Sequence, residues 1–147
     1  MFVTVWLGFL ELSSGKLVWA DAGHEPLLLY QNGSWTLLSS RGGIALGVLE
    51  PEFLEDDDPF ARHELIMKPG DALFQYTDGV TEAMTVNREQ YGLERLTGAL
   101  NDAPSSVPEE LLPYVHTQIN SFVKDAEQFD DITMLAIRYR GSTGVLK

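Results

Sequence analysis

A chain of 147 residues with 44% hydrophobic content is long enough for one domain with a real core and too short for two. Its formal net charge of −12, from 22 carboxylates against 10 lysines and arginines, opposes nucleic acid and anionic membranes at long range. Surplus carboxylates suit hard cations such as Mg²⁺, Mn²⁺ or Ca²⁺, although an ordinary acidic surface has the same composition. The absence of cysteine excludes disulfides, thiolate metal sites and cysteine nucleophiles, and fits a reducing cytosol.

No apolar run approaches the roughly 20 residues needed to span a bilayer. The opening MFVTVWLGFLEL lacks a basic region and a small-residue cleavage site, so it is not read as a signal peptide. Phe2 to Leu10 is almost continuously apolar and β-prone, the pattern of a strand covered on both faces, and it begins with no lead-in. Ser13-Ser14-Gly15-Lys16 turns the chain into a return strand, Leu17 to Ala20. Leu27 to Tyr30 and Trp35 to Leu38 flank Asn32-Gly33, the strongest short hairpin signal. Residues 39–60 carry glycines, prolines and the run Glu55-Asp56-Asp57-Asp58, and read as a long exposed excursion. His63 to Met67 and Ala72 to Tyr76 bracket Pro69-Gly70-Asp71 as a further hairpin.

Helical spacing follows. Leu93, Leu96 and Leu100 form one stripe, and Leu111, Val115, Ile119 and Phe122 form another. Ser106-Val107-Pro108-Glu109 has the spacing of a capping box. Pro113 inside the second pattern predicts a kink or a later start. Thr133 to Tyr139 reads as a last strand and 141–147 as a frayed tail. Hairpins, two helices and a closing strand predict an α+β fold.

Asp78 in QYTDGVTEA stands at the exit of a strand, where the following glycine lets the backbone turn while the carboxylate projects. An isolated Asp-Gly dipeptide is also an ordinary turn. Asp130 and Asp131 in QFDDITML sit at a strand entrance, where adjacent carboxylates repel unless a cation or solvent offsets them. They also read as a solvated acidic loop. If Asp78 and Asp130 lie at neighbouring strand ends, they can share a hard divalent ion. His24 in ADAGHEP can bind phosphate, ligate a metal or satisfy a turn, while His63 and His116 read as surface residues. There is no G-x-S-x-G and no P-loop.

The order and spacing of these segments carry more than each alone. MFVT, WADAGHEPLLL, GGIALGV, KPGDALFQYTDGVTEA, YGLERL and QFDDITML in succession resemble the SpoIIE-type branch of the PPM (protein phosphatase 2C-like) metal-dependent serine/threonine phosphatases. The resemblance runs from Met1 to about Tyr139 and is most specific in YTDGVTEA and DDIT. It implies an α-β-β-α sandwich of two antiparallel sheets with helices outside and a site for two Mn²⁺ or Mg²⁺ ions. It implies that Asp78 and Asp130 are metal ligands, that Gly79 shapes the turn, and that Asp131 lies just behind the ligands. Glu82 and His24 fall where eukaryotic-type members have acidic residues linked to a further metal. No side chain is implied as catalytic beyond a metal-bound water. The D-x-S-G-H-G-like motif, whose aspartate bridges the metals in relatives, is absent. Residues 1–140 are therefore expected to be the C-terminal two-thirds of the catalytic domain, its N-terminal portion missing, with 141–147 a tail.

The implied substrate is phosphoserine or phosphothreonine on a STAS-type regulator, an anti-anti-sigma-like protein in bacterial signalling. An upstream sensor or receiver domain in the parent chain, a cytoplasmic location and a homodimer accompany that reading. A parent protein anchored in a membrane through its sensor is compatible with it. No nucleic acid and no direct membrane contact are expected of this segment. The competing expectations are a non-catalytic remnant of the same fold that binds a partner or one metal, and a calcium-binding module resting on the Glu55 to Asp58 run.

Overall fold

The computed structural model describes residues 1–38, 42–48, 60–128 and 130–142. The Glu55 to Asp58 run lies outside them, as does most of the 141–147 tail. The chain divides into two compact units. One comprises Met1–Pro26, Ser39–Pro69 and Tyr139–Lys147, and the other Leu27–Leu38 and Gly70–Arg138.

In the first unit, β1 (Val5–Glu11) and β2 (Lys16–Ala22) pair antiparallel from Val5 opposite Ala22 to Glu11 opposite Lys16. The reversal turns on Gly15 at φ 75°, a left-handed value that glycine adopts without steric cost. β5 (His63–Ile66) pairs with the other side of β2, giving the order β1-β2-β5. The expectation of a first strand covered on both faces does not hold. Leu7 and Phe9 are 63% and 78% exposed, and Ile66 stands on the same face of the sheet. An uninterrupted apolar run records hydrophobicity, not which face is covered. On the opposite face the Trp6 ring lies across Gly8, where any Cβ would collide with it.

The second unit is built around β6 (Ala72–Tyr76). It pairs with β3 (Leu28–Gln31) on one side and β7 (Met134–Arg138) on the other. β4 (Ser34–Leu37) pairs with β3, so the sheet runs β4-β3-β6-β7 and is antiparallel throughout. Asn32 and Gly33 hold φ 53° and 88°, the two positive values a type I′ hairpin turn requires. The hairpin expected across 69–71 is absent. β5 pairs with β2 and β6 with β3, so this turn, with Gly70 at φ 100°, carries the chain from one sheet to the other. Turn chemistry marks where a strand stops but not which strand it then pairs with.

A short α1 (Asp78–Thr81) follows β6, and α2 (Gly92–Asp102) and α3 (Pro108–Val123) follow in turn. Leu96, Leu100, Leu111, Val115 and Ile119 from the two long helices join Leu28, Phe74, Tyr76 and Val80 in one buried core. Each such aliphatic side chain contributes about 1.5–3 kcal/mol by leaving water. The predicted capping box does not form. Val107 is the extended residue before α3, its N–H donates to Ser105 Oγ at 3.1 Å, and Pro108 opens the helix. The helix continues through Pro113, whose missing N–H removes the usual bond to the carbonyl of exposed Glu109.

Asn101 ties α2 to the sheet edge. Its Oδ1 accepts the Trp35 N–H at 2.8 Å, and its Nδ2 donates to the Trp35 carbonyl at 3.0 Å. Asn101→Ala therefore leaves two backbone groups of β4 without partners and should cost about 1–3 kcal/mol. Asn101→Asp, which keeps only the acceptor, should fall between it and wild type. Urea unfolding followed by far-UV circular dichroism checks both.

Candidate metal centre

β6 ends at Tyr76, directly opposite Met134 at the start of β7. The residues leaving β6 and those entering β7 thus lie at one end of the sheet. Thr77 fastens them together. Its backbone N–H donates to the Thr133 carbonyl at 3.1 Å. Its Oγ1 accepts the Thr133 N–H and donates to the Asp131 carbonyl, both at 3.1 Å. Two residues on, Gly79 is buried against the same segment. A Cβ on it would collide with the Asp131 carbonyl oxygen and stand 2.9 Å from the carbonyl carbon. Glycine is required here by close approach rather than by a left-handed φ.

Asp78 sits between these two contacts as the first residue of α1, with its side chain exposed. Its Oδ1 accepts the Gly79 N–H at 2.9 Å, and its carbonyl accepts the Glu82 N–H at 2.8 Å. Asp130, also exposed, accepts the Asp131 N–H through Oδ1 at 2.7 Å, and Gln128 Nε2 donates to its carbonyl at 2.8 Å. In each carboxylate one oxygen is fixed by the next backbone N–H. The second carries no hydrogen bond among the described residues. The donor chemistry is that of a hard divalent cation. The donor number is short, since no group of three or more His, Asp or Glu side chains suited to a metal occurs among the described residues. By donor type and number, Asp78 and Asp130 can supply at most part of a ligand set.

Glu82 is half-buried just past α1, and the Asp131 side chain is exposed while its backbone bonds to Thr77 and Asp130. His24 belongs to the first unit. Its Nδ1 lies 3.2 Å from Thr4 Oγ1, and its N–H donates to Asp21 Oδ1 at 2.9 Å. Asp21, 6% exposed, also accepts the Gly43 N–H through its carbonyl, so it anchors two loops. His63 is not a plain surface residue, because its ring stacks on Trp19 at 5.4 Å. His116 is exposed and pairs with Asn120. Sequence reading passed over Thr77, Gln128 and Asp21. The threonine between a strand and an Asp-Gly turn was the available sign for the first, while the other two bond to partners that no spacing rule names.

Gly79→Ala should cost about 2 kcal/mol or more, because the added methyl must displace the backbone at 131. Thr77→Val should cost about 1–3 kcal/mol by orphaning the Thr133 N–H and the Asp131 carbonyl, with Thr77→Ser close to wild type. Urea midpoints give the energies. Amide chemical shifts at 131–133 should move in the first two variants and stay in the third.

Comparison with known proteins gives these features a setting. The family model of stage II sporulation protein E (SpoIIE) matches residues 1–140. Protein IcfG of Synechocystis is 32% identical over 137 residues, covering 93% of this chain and 20% of its own. The phosphoserine phosphatase RsbU of Bacillus subtilis is 24% identical over 141 residues, covering 94% of this chain and 39% of its own. The chain thus spans about a fifth and two-fifths of the lengths of these relatives. The phosphatase domain of SpoIIE from Bacillus subtilis, solved after a manganese presoak, superposes with a TM-score of 0.69 at 14% identity, over 95% of this chain and 58% of that one. The sheets and helices described above share its fold, and residues 1–140 make this chain a member of the SpoIIE family.

Proposed function

We propose that this chain forms the metal-holding sheet end of a protein serine/threonine phosphatase domain, with Asp78 and Asp130 as ligands. The observation that carries the reading is the clamp of Thr77 and Gly79 on 131–133, which holds two exposed carboxylates at one end of one sheet. Bound Mn²⁺ or Mg²⁺ ions supply charge neutralisation at the phosphoryl oxygens and an acidified water. The chain's own residues hold and orient. Asp78 and Asp130 present one fixed and one available oxygen each, Gly79 admits the backbone of Asp131, and Asp131 and Glu82 are assigned supporting roles behind the ligands. His24 is a further candidate for an additional metal or for phosphate. A pair of ions needs a bridging group to fix it. In the resembling family that group is an aspartate of D-x-S-G-H-G, which these 147 residues do not contain.

The proposed substrate is phosphoserine or phosphothreonine on a STAS-type regulator of a bacterial sigma-factor pathway, in a cytoplasmic compartment and under an upstream sensor or receiver domain. The relative RsbU, a phosphoserine phosphatase, supports the reaction class. The shortage of clustered ligands among the described residues favours a second reading for the segment by itself, a non-catalytic unit that binds a partner or one metal.

In a longer protein that joins this segment to the proposed bridging aspartate, Asp78→Asn and Asp130→Asn should each lower Mn²⁺-dependent phosphate release from a phosphorylated STAS protein at least about a hundredfold, with unchanged circular dichroism. Turnover close to wild type in either variant overturns the assignment. The isolated 147-residue chain, titrated with Mn²⁺ against p-nitrophenyl phosphate, should show little or no turnover. Turnover matching the longer protein would show that no outside ligand is needed.

A further inference from the structure

The second unit contains a cavity of about 200 Å³ lined by α1, the end of α3 and the approach to β7. Gly79 and Asp130 both line it, so a group seated there lies next to the candidate metal ligands. Its shape follows from the end of α3. Lys124 takes φ 55°, donates its N–H to the Asn120 carbonyl at 2.9 Å, and reverses the chain so that Glu127 and Gln128 form a wall. Met84, Ile119, Val123 and Ile132 supply an apolar lining. Glu82 and Glu127 add carboxylates, against Lys124 as the one cation among the described lining residues.

Size narrows the occupant. Small-molecule sites run to roughly 300–1,000 Å³, so a cavity of this volume fits a single long side chain better than a free ligand. Chemistry narrows it again. An apolar lining with carboxylates beside it matches an aliphatic stem that ends in a cation, the form in which lysine and arginine cover apolar surface. Neither Glu82 nor Glu127 has an ion pair among the described residues. With Asp130 assigned to metal, two carboxylates still face one lysine. The net charge of −12 favours the approach of a basic segment from a distance.

We infer that this cavity is a subsite for a lysine or arginine side chain of the phosphoprotein substrate, close in its sequence to the phosphorylated residue. The inference rests on the phosphatase reading and adds a substrate feature to it. The test uses the longer protein with Mn²⁺ and alanine-based phosphoserine peptides bearing one lysine at each of three positions on either side. At one or more positions lysine should raise kcat/KM about fivefold over alanine. In Glu127→Lys that ratio should vanish, and a glutamate at the same position should become the better residue. Because each ratio is taken within one variant, any general change in activity cancels. A lysine-to-alanine ratio near one at every position, or a ratio unchanged in Glu127→Lys, overturns the subsite. Failure of the phosphatase reading shows separately, as no turnover of p-nitrophenyl phosphate by the wild type. The subsite is then judged by fluorescence anisotropy of the same peptides, labelled and unphosphorylated. Tighter binding of a lysine peptide than of the alanine peptide, lost in Glu127→Lys, supports it, and equal binding removes it.

Discussion

The approach of the backbone at Gly79 to the carbonyl of Asp131 is the contact on which the candidate site depends. It leaves no room for a side chain at 79, and with the Thr77 hydrogen bonds it fixes the exit of β6 against the entrance of β7. Asp78 lies between the two contacts and Asp130 is joined to Asp131 by a peptide bond. Neither carboxylate can drift far from that end of the sheet without breaking backbone packing. The constraint is steric and local, so it holds whether or not a cation is bound.

Behind this exposed end the scaffold is a buried apolar core. Phe74, Tyr76 and Val80, the residues that lead into and out of the turn, are fully or almost fully buried with Leu111, Val115 and Ile119 of α3. Charge is concentrated where the strands end and apolar volume immediately underneath. A site set on strand ends over a packed core is held more tightly than one on a free loop, because displacing it means repacking side chains. The fixed oxygen in each carboxylate works the same way, since the hydrogen bond to the next N–H limits the rotamers that each aspartate can take.

Much of this was legible in the residues. Asn32-Gly33 named its turn, because only such residues take two positive φ values at low cost. The leucine spacing of α2 and the aliphatic spacing of α3 reported real buried faces, because helical periodicity is imposed by the core itself. The Asp-Gly and Asp-Asp segments marked strand ends for the same local reason. What could not be read is partner choice. Nothing between Met67 and Ala72 says that β5 and β6 belong to different sheets, and nothing around Ser105 says that it, rather than Ser106, bonds ahead of α3. Thr77 and Asp21 escaped notice because their importance lies in what they touch. The place of Thr77 between a strand and an Asp-Gly turn is a local sign, but nothing nearby names hydrogen-bond partners 54 and 56 positions away.

That separation bears on how the protein is made. Thr77 leaves the ribosome 56 residues before Thr133. At about 5–20 residues per second, roughly three to eleven seconds pass in which β6 has β3 on one side and no neighbour on the other. For that interval the β6 backbone is an open edge, the kind of surface that captures stray strands. The carboxylate of Asp78 is in place early, but the arrangement that gives it a companion is completed only when β7 emerges and closes the edge. A nascent chain stalled before residue 134 would contain Asp78 and Asp130 but lack the strand whose pairing with β6 fixes that end of the sheet.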